Sequence, residues 1–99
     1  MRITTEAVQF KADQKLLDII EKKVRKLPTF FDRIQETRVT LKLENTGQVR
    51  DKIMELKVFV PGDILILKTS SKTFEAALDN AVQKMKVQLS RYKERLQER

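Results

Sequence analysis

The sequence predicts an α+β fold of order β-α-β-β-β-α, a two-layer sandwich with two helices on one face of a four-stranded sheet. Three observations carry that expectation. Apolar residues recur at spacings of three and four in two stretches, one ending at Leu27 and one filling the last quarter of the chain. Between these stretches the alternation switches to period two, and short turn signals divide it into successive strands. One further extended apolar segment opens the chain. The 99 residues are expected to form one domain over 1–99, enough for a single modest core.

Arg2 to Phe10 reads as a strand with Ile3 and Thr5 on one phase and Val8 and Phe10 on the other, a slip that suggests a bulge near Glu6 or Ala7. Asp13 follows where an N-cap is needed, because its carboxylate can accept first-turn N–H groups. Leu16, Ile20, Val24 and Leu27, with Leu17 beside them, form the buried stripe of a first helix. Pro28 lacks an N–H and clashes with the preceding turn, so the helix is expected to end near Lys26 or Leu27. Phe30 and Phe31 are then expected to fold back onto the core.

Val39, Leu41 and Leu43 alternate with polar residues within Ile34 to Leu43, the pattern of a half-buried antiparallel strand. Asn45-Thr46-Gly47 marks a hairpin turn, though not a two-residue one, and Met54, Leu56, Val58 and Val60 resume the alternation. Pro61-Gly62 fits the central positions of a type II turn. Asp63 to Ser70 forms the fourth strand. Its Ile64-Leu65-Ile66-Leu67 run is apolar on both faces, so it is either covered on both sides or exposed to self-association. Ser71 or Thr73 is placed to cap the second helix. In that helix Phe74, Leu78, Ala81, Met85, Leu89, Tyr92 and Leu96 share one stripe. The expected core includes Leu16, Ile20, Val24, Val58, Leu78, Met85 and Leu89. Tyr92 is expected in the helix seam with its hydroxyl near solvent.

Composition narrows the chemistry. There is no cysteine and no histidine, which removes thiolate metal sites, the commonest zinc ligand and the commonest general base. Asp13, Asp18, Glu21 and Glu36 are scattered among cations that favour their charged forms. Gly47 and Gly62 stand singly in turns, so no phosphate-cradling glycine loop exists, and Ser70, Ser71 and Ser90 have no histidine to activate them. Neither catalysis, nor a metal, nor any cofactor is expected. The N-terminus lacks an apolar signal segment and no stretch is long enough to span a bilayer, so a cytoplasmic protein is expected.

The charge balance is the positive clue. With 21 Lys and Arg against 14 Asp and Glu, the formal net charge is +7, which attracts polyanions. At about 100° per residue, Lys15, Lys22 and Lys26 fall on one stripe of the first helix, with Lys23 and Arg25 flanking it. Lys84, Arg91 and Arg95 share a stripe of the second helix, and Lys86 and Lys93 lie on the other side of its apolar stripe. One such stripe alone reads as a solvated helix face, with cations favoured near the helix C-terminus. Two of them on helices that lie side by side make a broad positive surface suited to phosphates, interrupted only in part by Asp18, Asp79 and Glu94. Membrane binding would require exposed apolar residues beside the cations, and here the core uses the apolar stripe. No exposed-aromatic RNP pattern or GxxG loop is present. Folded RNA, recognised by shape and phosphate contacts, fits best.

Several segments resemble the ribosome hibernation promoting factor family, also called ribosome-associated inhibitor A. They are Glu21-Lys22-Lys23-Val24-Arg25-Lys26-Leu27, Phe30-Phe31-Asp32-Arg33-Ile34, Val58-Phe59-Val60-Pro61-Gly62, Phe74-Glu75-Ala76-Ala77-Leu78-Asp79 and Lys84-Met85-Lys86-Val87-Gln88-Leu89. The likeness runs through the chain in register. It implies a fold similar to double-stranded RNA-binding domains and a monomer when free. It also implies binding to the small ribosomal subunit and its ribosomal RNA, at messenger and transfer RNA sites, silencing translation under stress or in stationary phase. Carried over by position, the RNA contacts are Lys22, Lys23 and Lys26 on the first helix and Lys84, Arg91, Lys93 and Arg95 on the second. Val87 stands where many members have Arg before the Gln-Leu pair, so that contact is lost or falls to Lys86. The chain resembles the short form of the family, without the further C-terminal dimerisation domain of long members. The alternative is a protein-interaction regulator of the sigma-factor modulation type, without ribosome binding. Neither reading involves a membrane or a small-molecule substrate.

Overall fold

The computed structural model describes residues 1–46 and 49–97. Along the chain come β1 (Arg2–Ala7), α1 (Gln14–Val24), a 3-10 turn (Leu27–Thr29), β2 (Glu36–Thr46), β3 (Val49–Val60), β4 (Asp63–Ser71) and α2 (Phe74–Gln97). The sheet order is β1-β2-β3-β4. β2, β3 and β4 form an antiparallel meander, while β1 runs parallel to β2. A parallel neighbour needs a crossover, and α1 supplies it.

Register places the alternating residues in rows across the sheet. Ile3, Thr37, Val58 and Leu65 make one row, and Thr5, Val39, Leu56 and Leu67 the next. Ala7, Leu41, Met54 and Thr69 make a third. A side-chain period of two keeps all three rows on one face, and the helices cover it. α1 contributes Ile20 and Val24 to the core, and α2 contributes Phe74, Ala77, Leu78, Ala81, Val82, Met85, Leu89 and Tyr92. Polar groups drawn under the helices are bonded: the buried Thr69 hydroxyl donates to the Ala77 carbonyl at 2.8 Å.

Local chemistry sets the element ends. Asp13 caps α1, its carboxylate accepting from the Leu16 N–H at 2.8 Å. Of the two candidate caps for α2, Thr73 takes the position, accepting from the Ala76 N–H at 3.1 Å, while Ser71 closes β4. Gly62 has φ of 80°, as the third residue of a type II turn requires.

Three expectations change and two are refined. β1 pairs with β2 in unbroken register, so no bulge lies within it. The change of phase comes after the strand, where Gln9 adopts a left-handed φ of 63° and Phe10 stacks on Phe74 with ring centroids 5.4 Å apart. α1 stops at Val24 rather than near Lys26, because the chain tightens into the 3-10 turn, where Pro28 sits in the first turn and forfeits no bond. Leu16 is half-buried at the rim of the core. The Tyr92 hydroxyl, expected near solvent, donates to the carbonyl of the exposed Pro61 in a half-buried contact, and its ring meets Phe31 edge-on at 5.2 Å. Leu65 and Leu67 are buried, but Ile64 and Ile66 are 46% and 54% exposed on the edge strand, so the outer face of β4 is open. Asn45 and Thr46, expected in a hairpin turn longer than two residues, instead belong to β2 and pair with Arg50 and Val49, so only 47–48, outside the described residues, separate the two strands.

On the outer face, Glu36 joins β1 to β2. Its carboxylate accepts from Arg38 at 2.7 Å and from Arg2 at 3.0 Å. These bonds, that from Arg38 foremost, hold its carboxyl below the ordinary carboxylate range.

Two outcomes follow. Leu78 is fully buried, so Leu78→Ala should cost about 2–5 kcal/mol in urea unfolding. A depressed pKa contributes stability above the unfolded-state value and loses it as pH falls through the folded-state value. Glu36→Gln should therefore be less stable than the parent near neutrality. Melting curves taken at decreasing pH should converge as the Glu36 carboxylate takes up its proton.

Candidate nucleic-acid interface

The helical layer carries most of the charge excess. Residues 14–29 and 74–97 hold ten Lys and Arg against five Asp and Glu, whereas the four strands hold seven against six. Strand cations are also engaged locally: Arg38 stacks over Phe59 at 4.8 Å and bonds Glu36, and Lys57 lies 3.7 Å from Glu55. The sheet side is nearly neutral and the helix side is cationic.

Packing then decides which cations meet. α1 and α2 lie in contact over the sheet. Their seam gathers Lys22, Lys23 and Lys26 from the end of α1 and the residues just after it, and Lys86 from α2. Val82 and Ile19 contribute apolar lining, and Gln83, Glu75 and Asp79 add polar groups. Lys86 is held in place by Phe30, whose ring lies 5.1 Å below its Nζ. Lys23 donates to Asp79 across the two helices. Among the described residues Lys22, Lys26 and Lys86 make no ion pair, so their charges are available to a ligand.

Other α2 cations, Lys84, Arg91 and Arg95, point elsewhere. Arg91 and Arg95 line a hollow with Leu65, Gln88 and Glu94 at the β4 side of α2, opposite the seam. Arg95 also reaches the Pro61-Gly62-Asp63 turn and lies 5.9 Å from the Tyr92 ring centroid. Lys84 is exposed two turns before Arg91 on the same stripe, and the exposed Lys93 lies two turns beyond Lys86 on the seam side. Between the flanks the exposed crest of α2 carries Asn80, Val87, Ser90 and Glu94. The cations form two flanks of α2, one shared with α1, in place of a single patch.

Two features of the site escape the sequence. Asp79 interrupts the charge pattern, but nothing local shows that it reaches Lys23, 56 residues away in the chain. Phe30 is legible as an apolar residue after Pro28, yet its service as a platform for Lys86 depends on tertiary packing. No described helix is long and apolar enough to cross a membrane.

Comparison with known proteins agrees with this architecture. The chain is 30% identical over 81 residues to a ribosome hibernation promoting factor of Klebsiella oxytoca, a match covering 82% of this chain and 81% of that protein. It is 25% identical over 97 residues to a protein of the same name from Pseudomonas putida, covering 98% and 91% of the two chains. Its fold is similar to that of a ribosomal subunit interface protein from Coxiella burnetii, with a TM-score of 0.82, 22% identity and coverage of 94% and 98%. The N-terminal domain of Thermus thermophilus Protein Y gives a TM-score of 0.79 at 23% identity, covering 93% and 99%. Residues 3–97 match the description Sigma 54 modulation protein / S30EA ribosomal protein, and with that span matched, the chain belongs to this family.

Proposed function

We propose that the protein binds the small ribosomal subunit through its helical layer, contacts ribosomal RNA phosphates, and silences translation by occupying the space of messenger and transfer RNA under stress or in stationary phase. The observation that carries this reading is the division of charge between the layers. Cations from two helices converge at one seam and line the far flank of α2, while the opposite face of the sheet is balanced. The names of the relatives, hibernation promoting factor and subunit interface protein, support the same reading.

The physics of such a surface is phosphate neutralisation. Each Lys or Arg that contacts a phosphate releases condensed counterions, so affinity comes with a steep salt dependence and little base preference. Rigid helices fix the spacing between the two flanks, and spacing lets shape select the RNA. Held on the ribosome in this way, the protein needs no chemistry. Occupancy excludes the other RNAs.

The test is co-sedimentation with small subunits on sucrose gradients. Three triple charge reversals are compared with the parent. One converts Lys22, Lys26 and Lys86 to Glu, another Lys84, Arg91 and Arg95, and the third Lys42, Lys57 and Lys68 on the strands as a control. The first two should melt within a few degrees of the parent and lose at least about a hundredfold in affinity. Each single reversal within them should flatten the dependence on salt by about one unit of slope. The control should lose far less. Equal losses in all three sets would reduce the effect to net charge, and absence of the parent from ribosomal fractions would favour the sigma-factor type of regulation.

A further inference from the structure

One acidic side chain stands at the centre of the most cationic part of the molecule. Asp79 borders both hollows of the α1–α2 seam, together with Lys23 and Lys26 in each, Lys86 in one and Lys22 in the other. It accepts from Lys23 across the helices. The Asp79 side chain keeps 60% exposure and that of Lys23 36%, so the pair lies at the mouth of the seam and not beneath it. Glu75 lines the same hollow one helical turn earlier and makes no ion pair among the described residues. The acidic charge is thus directed onto one lysine out of four.

A carboxylate in that setting has the charge of one phosphodiester. We propose that Asp79 is an internal competitor for the phosphate position of the seam: it occupies the Lys23 ammonium in the free protein and gives it up to an RNA backbone phosphate. The proposal rests on the RNA-binding reading above and adds to it a device for selectivity. An exposed ion pair is held weakly, so exchange is easy. A stray polyanion presenting a single phosphate exchanges one anion for another and gains nothing. An RNA whose backbone also reaches Lys22, Lys26 and Lys86 makes contacts with no internal competitor. Asp79 lowers the affinity of both by the same factor, which leaves weak, incidental polyanions unbound at concentrations where a target with many contacts stays bound.

The experiment compares the parent with Asp79→Asn and Asp79→Ser, two removals of the carboxylate that differ in shape, and with Glu75→Gln, an equal charge change on the same flank. Three probes are used: an RNA duplex of arbitrary sequence, small ribosomal subunits, and inorganic pyrophosphate followed by NMR of lysine side chains. Loss of the carboxylate should tighten binding to the arbitrary duplex about tenfold, as expected for removing one like-charge contact. Binding to small subunits should tighten by a similar factor, because the same Lys23–Asp79 pair is exchanged in either complex. Pyrophosphate should shift the Lys22, Lys23, Lys26 and Lys86 signals at lower concentration than in the parent. Glu75→Gln frees no paired lysine and should tighten the duplex by less than about threefold. Equal gains from Glu75→Gln would show a net-charge effect and overturn the proposal. Loss of binding in both Asp79 variants would also overturn it, by making Asp79 a tie between helices. Failure of the parent to bind small subunits would instead refute the ribosomal reading, and the pyrophosphate series would still decide the role of Asp79.

Discussion

The docking of α2 across β3 and β4 governs the rest of the molecule. A helix of 24 residues can be stable here only by laying one continuous apolar stripe on the sheet, and eight of its residues from Phe74 to Tyr92 are buried for that purpose. The stripe fixes the rotation of the helix about its own axis. Once that rotation is set, every other position has an assigned direction. Lys86 turns toward α1, Arg91 and Arg95 toward the edge of β4, and Val87 toward solvent. The cationic flanks follow from core packing. Further ties hold α2 in that orientation at both ends: Thr69 bonds the Ala77 carbonyl, Phe10 stacks on Phe74, and Tyr92 bonds Pro61.

The segregation of charge between layers has a structural origin as well. Strand side chains alternate, so the outer face of the sheet must carry every second residue of four strands, and opposite charges meet there across and along strands. Arg2, Glu36 and Arg38 form such a group. Helix surfaces impose no such pairing. On α1 and α2 the only ion pairs among the described residues are Arg25 with Glu21 and Lys23 with Asp79, and most helix cations stay free. The free cations on these rigid supports can neutralise phosphates without first breaking internal contacts, Lys23 with its Asp79 partner being the exception at the seam, which favours fast, salt-sensitive binding.

Much of the fold was legible because apolar periodicity is a direct physical consequence of burial. The order of elements, the Asp13 cap, the Pro61-Gly62 turn and the stripe of α2 all rest on local chemistry. The misreadings arose where a distant contact decided the outcome. Val8 and Phe10 looked like strand residues in a shifted phase, whereas Phe10 leaves the strand to meet Phe74, 64 positions on. Tyr92 was legible as a seam residue, but its hydroxyl partner comes from the β3–β4 turn. The candidate site shows the same division. The cations and their helical stripes are visible in the sequence, since they need only a wheel. Their sorting into two flanks, the Phe30 platform under Lys86 and the Asp79 contact depend on how two helices meet, and no local pattern encodes that meeting.

The most direct measurement of the central claim is residue-by-residue protection of lysines from an amine-reactive reagent, read by mass spectrometry with and without bound small ribosomal subunits. Lys22, Lys26 and Lys86, which are free at the seam, should lose reactivity in the complex, and Lys84 and Lys93 along α2 should follow. Lys42 and Lys68 on the strands should react as in the free protein. Protection of the strand lysines with the seam lysines still reactive would contradict the assignment of the helical layer as the ribosome-binding face.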